Sequence, residues 1–284
     1  RMRFLTNLFL RKVSIEHFIF YLIFVTAIIV LIIINGVLVT DTPKILCLPK
    51  TYLDHPLNNH ALCARKTHFN VVVVINSAIK NFQNRAVIRA TWGNESHYSS
   101  RGYKVRKFFT LGNPELVNAE LKERVLRERG EHKDIVFINI EEAYKNNIHK
   151  TLYGLKAVTR HCPDTDVVVK ADDDIFVDIP RLYYHFMSDP RLRSSLWCSV
   201  NTNSAVRNPD EKWYVDPRVY GKEYPHYCLG SFYALNLTSL TILMTKAYCE
   251  PWFWIDDVFI TGDLRSNSNI SITSMDYKFA EVSS

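Results

Sequence analysis

Two runs of β-branched residues constrain this chain most. Phe69-Asn70-Val71-Val72-Val73-Val74-Ile75 and Asp166-Val167-Val168-Val169-Lys170 show no alternation of apolar and polar positions. A strand with one wet face alternates, so such runs suit strands buried on both faces, as parallel sheets provide. Lys104 to Leu111 and Asp134 to Ile140 read as two further strands. Between them the pattern turns helical. Asn84 to Trp92 is short and helix-compatible, Pro114 to Arg129 reads as a charged surface helix ending at Gly130, and Asn147 to Arg160 as a third helix. Strands alternating with helices predict an α/β fold with a mainly parallel central sheet and right-handed crossovers. Ligands in such folds sit beyond the carboxyl ends of the strands.

The N-terminal region follows a different pattern. Phe18 to Ile34 carries no charge, and Val37, Leu38 and Val39 bring the stretch to the roughly 20 residues that span a bilayer. A cleaved signal peptide is the alternative, but no small-x-small site follows the run. Arg1, Arg3, Arg11 and Lys12 precede it against the single acid Glu16, which predicts a cytoplasmic N-terminus. The expected organisation is a cytoplasmic tail at 1–17, a transmembrane signal anchor at 18–39, a proline-bearing lumenal stem at 40–66 and one main domain at 67–284. Six cysteines, an even number, suit an oxidising compartment, and Cys47 with Cys63 is a plausible local pair. No CxxC occurs, which argues against zinc. Asn94-Glu95-Ser96, Asn236-Leu237-Thr238 and Asn269-Ile270-Ser271 are sequons for N-glycans. The formal charge of +6 divides evenly between the first 40 residues and the rest. A body so nearly neutral lacks the basic surface that nucleic acid requires.

The chemistry concentrates where apolar runs break. Asp172, Asp173 and Asp174 stand between Val167-Val168-Val169-Lys170-Ala171 and Ile175-Phe176-Val177. Three carboxylates beside a buried sheet repel one another, which a bound cation would relieve; an acidic solvated turn is the ordinary alternative. In extended chain, Asp172 and Asp174 face one way while Asp173 turns aside. Oxygen ligands alone favour Mg²⁺ or Mn²⁺, shared with substrate phosphates. Arg85 and Arg89, four apart, share a helix face on which two guanidinium forks could hold a diphosphate; surface arginines are the ordinary alternative. A second acidic pair, Asp256-Asp257, lies between Trp252-Phe253-Trp254-Ile255 and Val258-Phe259-Ile260, where a base beside a stacked sugar is one reading and ordinary aromatic core the other.

Taken in order, four segments resemble the β-1,3-glycosyltransferase family (glycosyltransferase family 31). They are Arg85-Ala86-Val87-Ile88-Arg89-Ala90-Thr91-Trp92, Val169 to Val177, Tyr224-Pro225-His226-Tyr227-Cys228-Leu229-Gly230, and Ile255-Asp256-Asp257-Val258-Phe259-Ile260-Thr261-Gly262. The resemblance runs from Phe69 to Leu264 and implies a GT-A nucleotide-sugar-binding fold in a type II Golgi membrane protein. It further implies transfer of galactose or an N-acetylhexosamine from a UDP-sugar, with inversion, to a 3-hydroxyl of a glycan on protein or lipid. On that basis Asp174 with Asp172 would bind Mn²⁺ or Mg²⁺. Arg85, Arg89, Lys170, Asp172 and Asp173 would serve the donor, and Asp257 beside Asp256 would be the base. A homodimer is among the partners to be considered. Asp256 stands where many members place glutamate, and no histidine follows His226 to join the metal as in related enzymes. The competing expectation is a catalytically inactive relative acting as a lumenal glycan-binding or chaperone-like protein.

Overall fold

The computed structural model describes residues 17, 20–28, 30–31, 62–63, 67–275 and 280–282. The chain divides into two units, residues 1–46 and 47–284. In the first, residues 20–28 are helical and Phe20, Tyr21 and Ile23 are exposed. Among the described residues no helix is long and apolar enough to cross a membrane. Most of the expected anchor at 18–39 and nearly all of the stem at 40–66 lie outside the described residues.

The second unit is built on a seven-stranded sheet. Its strands are β1 (Phe69–Asn76), β2 (Val105–Leu111), β3 (Ile135–Phe137), β4 (Thr165–Asp172), β6 (Ser195–Asn201), β7 (Tyr227–Asn236) and β8 (Ser271–Ser274), in the order β3-β2-β1-β4-β7-β6-β8. Between them in the chain, β5 (Ile175–Val177) pairs separately with β9 (Ala280–Val282). The β3-β2-β1-β4 portion is parallel, and β7 runs antiparallel to both β4 and β6. The absence of alternation has the expected cause. Val72 and Val74 enter one core, whereas Val71, Val73 and Ile75 enter the other.

Six helices cover the sheet: α1 (Phe82–Ala90), α2 (Glu95–Ser99), α3 (Ala119–His132), α4 (Asn147–His161), α5 (Ile179–Ser188) and α6 (Leu237–Lys246). The helix expected from Pro114 is two pieces. A single turn at Pro114–Leu116 precedes α3, which Asn118 caps by accepting the Leu121 N–H at 2.9 Å. α3 continues through Gly130 and stops at Lys133, whose φ is 54°. α4 lies so close to the sheet that a Cβ at Gly154 would come 2.4 Å from Val74 Cγ1. That approach later matters to the site.

Disulfides Cys63–Cys162 and Cys198–Cys228 join segments with Cα separations of 5.3 and 5.5 Å, and no cysteine is free among the described residues. The expected Cys47–Cys63 pair is therefore corrected. Cys63 bonds across 99 residues to the end of α4, a proximity that only the folded chain creates.

Candidate active site

The chain leaves β1 toward β2 and β3 on one side, and β4 joins β1 on the other. Such a reversal opens a crevice beyond the strand ends. Asn76 and Asp172, the last residues of β1 and β4, are registered neighbours there. A cavity of about 360 Å³ fills the crevice. Among its lining residues are Asn76, Tyr144, Asn147, Lys170, Asp172, Trp213, Tyr224, Gly230, Asp256 and Asp257.

The two acidic segments thus meet, although 84 positions separate Asp172 from Asp256 in the numbering. Lys170 is buried and donates to Asp172 Oδ1 at 2.6 Å and to the Gly230 carbonyl. Burial alone would lower the Lys170 pKa, but the charges of Asp172 and Asp256 outweigh it and raise it. Asp172 is itself raised, by burial first, with Lys170 pulling the other way. Asp256 Oδ2 accepts the Thr151 hydroxyl at 2.8 Å, and Thr151 accepts from Asn76 Nδ2 at 2.7 Å. The close approach of α4 at Gly154 brings Thr151 within reach of both.

Asp257 opens the helical turn Val258–Leu264 and accepts the Val258 N–H at 2.9 Å. Burial raises its pKa to about 7, and the neighbouring Asp256 charge adds to the effect. Gly230 packs tightly beside it: a Cβ there would lie 3.3 Å from Asp257 Oδ2. Thr261 accepts the Cys228 N–H at 2.8 Å and donates to the Asp257 carbonyl at 2.5 Å. The Tyr224–Gly230 and Asp256–Gly262 segments therefore form one packed unit.

The segment between β6 and β7 closes the cleft. It contributes Asn203, Ser204, Val206, Trp213 and Tyr224, between the ends of the Cys198–Cys228 bridge. Arg207 gathers it by donating to the carbonyls of Val215, Tyr220 and Gly221 at 2.6 to 3.0 Å. Tyr220 donates to Asp263 at 2.5 Å, and Trp213 Nε1 donates to the Tyr144 hydroxyl at 2.7 Å. Tyr144 and Trp213 stay 43% and 47% exposed, an aromatic ledge at the mouth. The hydroxyls of Tyr224 and Tyr233 are buried without a hydrogen-bond partner among the described residues. Such groups normally find one; Tyr224 lines the cleft, where its hydroxyl is suited to a bound ligand, whereas Tyr233 lies in the core.

Arg85 and Arg89 sit in a network of ion pairs with α3 and the residue before β3. Arg85 is 0% exposed and its fork engages Glu128 at 2.9 and 2.7 Å. Arg89 bonds Glu128 at 2.6 Å and Asp134 at 2.9 and 2.8 Å. Neither lines the cleft. Arg85 reaches it only indirectly, by donating to Ser77 Oγ at 3.0 Å, which donates to Asp173 at 2.5 Å. Asp173 also accepts from Asn81 and Asn84 at 3.0 and 3.3 Å, so it fastens the aspartate turn to α1. Asp173 and Asp174 form a turn rather than the extended chain expected, and these hydrogen bonds aim the Asp173 carboxylate at α1.

Among the described residues no group of three or more His, Cys, Asp or Glu side chains could enclose a metal. Mg²⁺ and Mn²⁺ need less, since one or two carboxylates with water and substrate phosphates complete their shell. The exposed Asp174 with Asp172 fits such an ion when phosphate is present. None of the sequon asparagines lines the cleft. Tyr144, Thr151, Asn76 and Trp213 carry no spacing signal, and sequence reasoning missed them.

Fold and cleft together define a mixed, mostly parallel α/β protein with an acidic, aromatic-rimmed ligand cleft at the strand reversal. Comparison with known sequences narrows the class. The chain belongs to the galactosyltransferase family, whose model matches residues 83–276. Human beta-1,3-galactosyltransferase 2 is 30% identical over 193 residues, which are 66% of this chain and 45% of that protein. Mouse beta-1,3-galactosyltransferase 5 is 28% identical over 200 residues, 70% of this chain and 63% of that one. Mouse beta-1,3-galactosyltransferase 1 is 28% identical over 225 residues, 74% and 67% respectively. The chain thus spans less than half the length of the human relative.

Proposed function

We propose that this chain is a glycosyltransferase of GT-A type that moves a hexose from a UDP-sugar to a hydroxyl of an acceptor glycan. The observation that carries the reading is Asp257, a buried carboxylate on the cleft wall whose pKa rises to about 7. A base is most effective when its pKa lies near the working pH. The acceptor oxygen attacks the anomeric carbon while the bond from that carbon to the diphosphate oxygen breaks, and Asp257 takes the acceptor's proton. One displacement of this kind inverts the anomeric centre. Asp256, held by Thr151, keeps the Asp257 carboxylate basic through its charge. Lys170 braces Asp172 and the Gly230 carbonyl, and Tyr144, Trp213 and Tyr224 offer faces and hydroxyls to sugars. Asp174 and Asp172 would hold Mn²⁺ or Mg²⁺, which when bound offsets charge on the leaving diphosphate.

The finer reading is a type II Golgi membrane protein that acts on glycoprotein or glycolipid acceptors with a donor bearing galactose or an N-acetylhexosamine; the relatives' names support β-1,3 linkage and galactose, and the apolar N-terminal run supports membrane attachment. The test is turnover of a UDP-sugar panel with simple glycoside acceptors, with Mn²⁺ or with EDTA. Transfer from one donor, lowered about 10²- to 10⁴-fold in Asp257→Asn with an unchanged circular dichroism spectrum, is the expected result. Full transfer by folded Asp257→Asn overturns the assignment of the base. Binding of glycans without any transfer would instead favour the inactive relative.

A further inference from the structure

The folded chain treats its three sequon asparagines differently. Asn236 ends β7 and caps α6. Its Oδ1 accepts the Ser239 N–H at 2.6 Å, and its Nδ2 donates to the Arg193 carbonyl. Asn94 is half-buried, with its Oδ1 accepting the Ser96 hydroxyl at 2.6 Å. Asn269 is exposed in a tight turn at φ 55°, where its backbone N–H donates to the Ser266 carbonyl at 3.3 Å. Among the described residues nothing bonds its side-chain amide. Ser271, the hydroxyl residue of that sequon, is exposed at the start of β8.

An N-glycan replaces one hydrogen on Nδ2 and needs an open path to water. Asn269 provides both. On Asn236 one Nδ2 hydrogen already donates to the Arg193 carbonyl while Oδ1 caps α6, so a glycan could leave only along the remaining N–H of a half-buried, doubly anchored side chain. We propose that Asn269 is an N-glycosylation site and that Asn236 remains unmodified in the folded protein. The proposal rests on the lumenal placement of the main domain, which the Cys63–Cys162 and Cys198–Cys228 bridges support. It does not depend on sugar transfer by the chain itself.

The test is expression of the full chain in a eukaryotic cell, detergent extraction, and enzymatic deglycosylation in ¹⁸O-water followed by peptide mass mapping. Label at Asn269 and none at Asn236 is the expected result. Ser271→Ala, which keeps the turn residue, should lose one glycan step in gel mobility. Thr238→Ala, which abolishes the Asn236 sequon without touching the cap, should lose none. Unlabelled Asn269, label at Asn236 in disulfide-intact protein, or a mobility change in Thr238→Ala overturns the proposal. Activity of the same extract on UDP-sugars is scored separately, so the glycan pattern and the transferase reading fail independently.

Discussion

Two charged clusters in this molecule use the same residue types to opposite ends. Around α1 and α3, Arg85, Arg89 and Lys107 meet Glu128 and Asp134, with ion pairs of 2.6 to 2.8 Å joining all five. At the strand ends, Asp172, Asp256 and Asp257 share one buried cation, Lys170. Burial alone would raise Glu128 and Asp134, yet bonds from Arg85 and Arg89 and the charge of Lys107 outweigh it and hold both below the usual carboxylate range. In the cleft the balance runs the other way, and Asp257 rises to about 7. Matched charge builds structure, whereas a surplus of one sign leaves a group ready to exchange protons.

The contrast can be broken most sharply at Arg85. Arg85→Ala strands Glu128 beside fewer donors in a buried setting, and removal of one partner of such a pair costs about 3–5 kcal/mol. Urea unfolding should show that loss; a stable variant with weakened donor binding would return the arginine to the diphosphate.

Next in size is the pH response, and its sign differs between the clusters. Between the ordinary carboxylate pKa near 3.8 and about 7, the native state holds a proton on Asp257 that the unfolded state releases, so stability falls as pH rises through that window. Glu128 and Asp134 behave oppositely: their contribution is present above the unfolded values and is lost as pH falls through the lowered folded ones. Thermal melts of Asp257→Asn should lose the first slope alone, while the acid limb of wild-type turnover should lie near pH 7.

A smaller effect sharpens the geometry. Gly230→Ala places a Cβ 3.2 Å from Asp257 Cβ and 3.3 Å from Oδ2. Displacing the carboxylate by a fraction of an ångström should lower kcat about 10-fold with little change in acceptor KM, in keeping with the sensitivity of reaction geometry to position. Smallest is Thr151→Val, which removes the hydroxyl that donates to Asp256 and accepts from Asn76 and should cost about 1–2 kcal/mol by urea unfolding.

How much was legible beforehand depended on whether the signal lay in one segment. β1 and β4 announce themselves because burial on both faces removes the polar alternation. Asp172 and Asp257 are conspicuous because carboxylates interrupt apolar runs. The partners of the arginines were not legible, because a four-residue spacing fixes a shared face but not what faces it; Glu128 and Asp134 arrive 43 and 45 residues later. Thr151 is silent for the same reason: it is one threonine among many until α4 packs over Asn76. Cys63 likewise lies beside Cys162 only through the tertiary fold, 99 residues apart in the chain.

The strap between β6 and β7 has a further consequence. Its ends are welded at Cys198–Cys228, and one arginine, Arg207, gathers its interior through carbonyl groups that every amino acid possesses. Ala205 and Val215 anchor it in the core, so its exposed side chains can drift without loosening the sheet beneath. A lineage can rewrite the rim of the cleft, and with it the choice of ligand, as an exchangeable cassette on an inherited chassis.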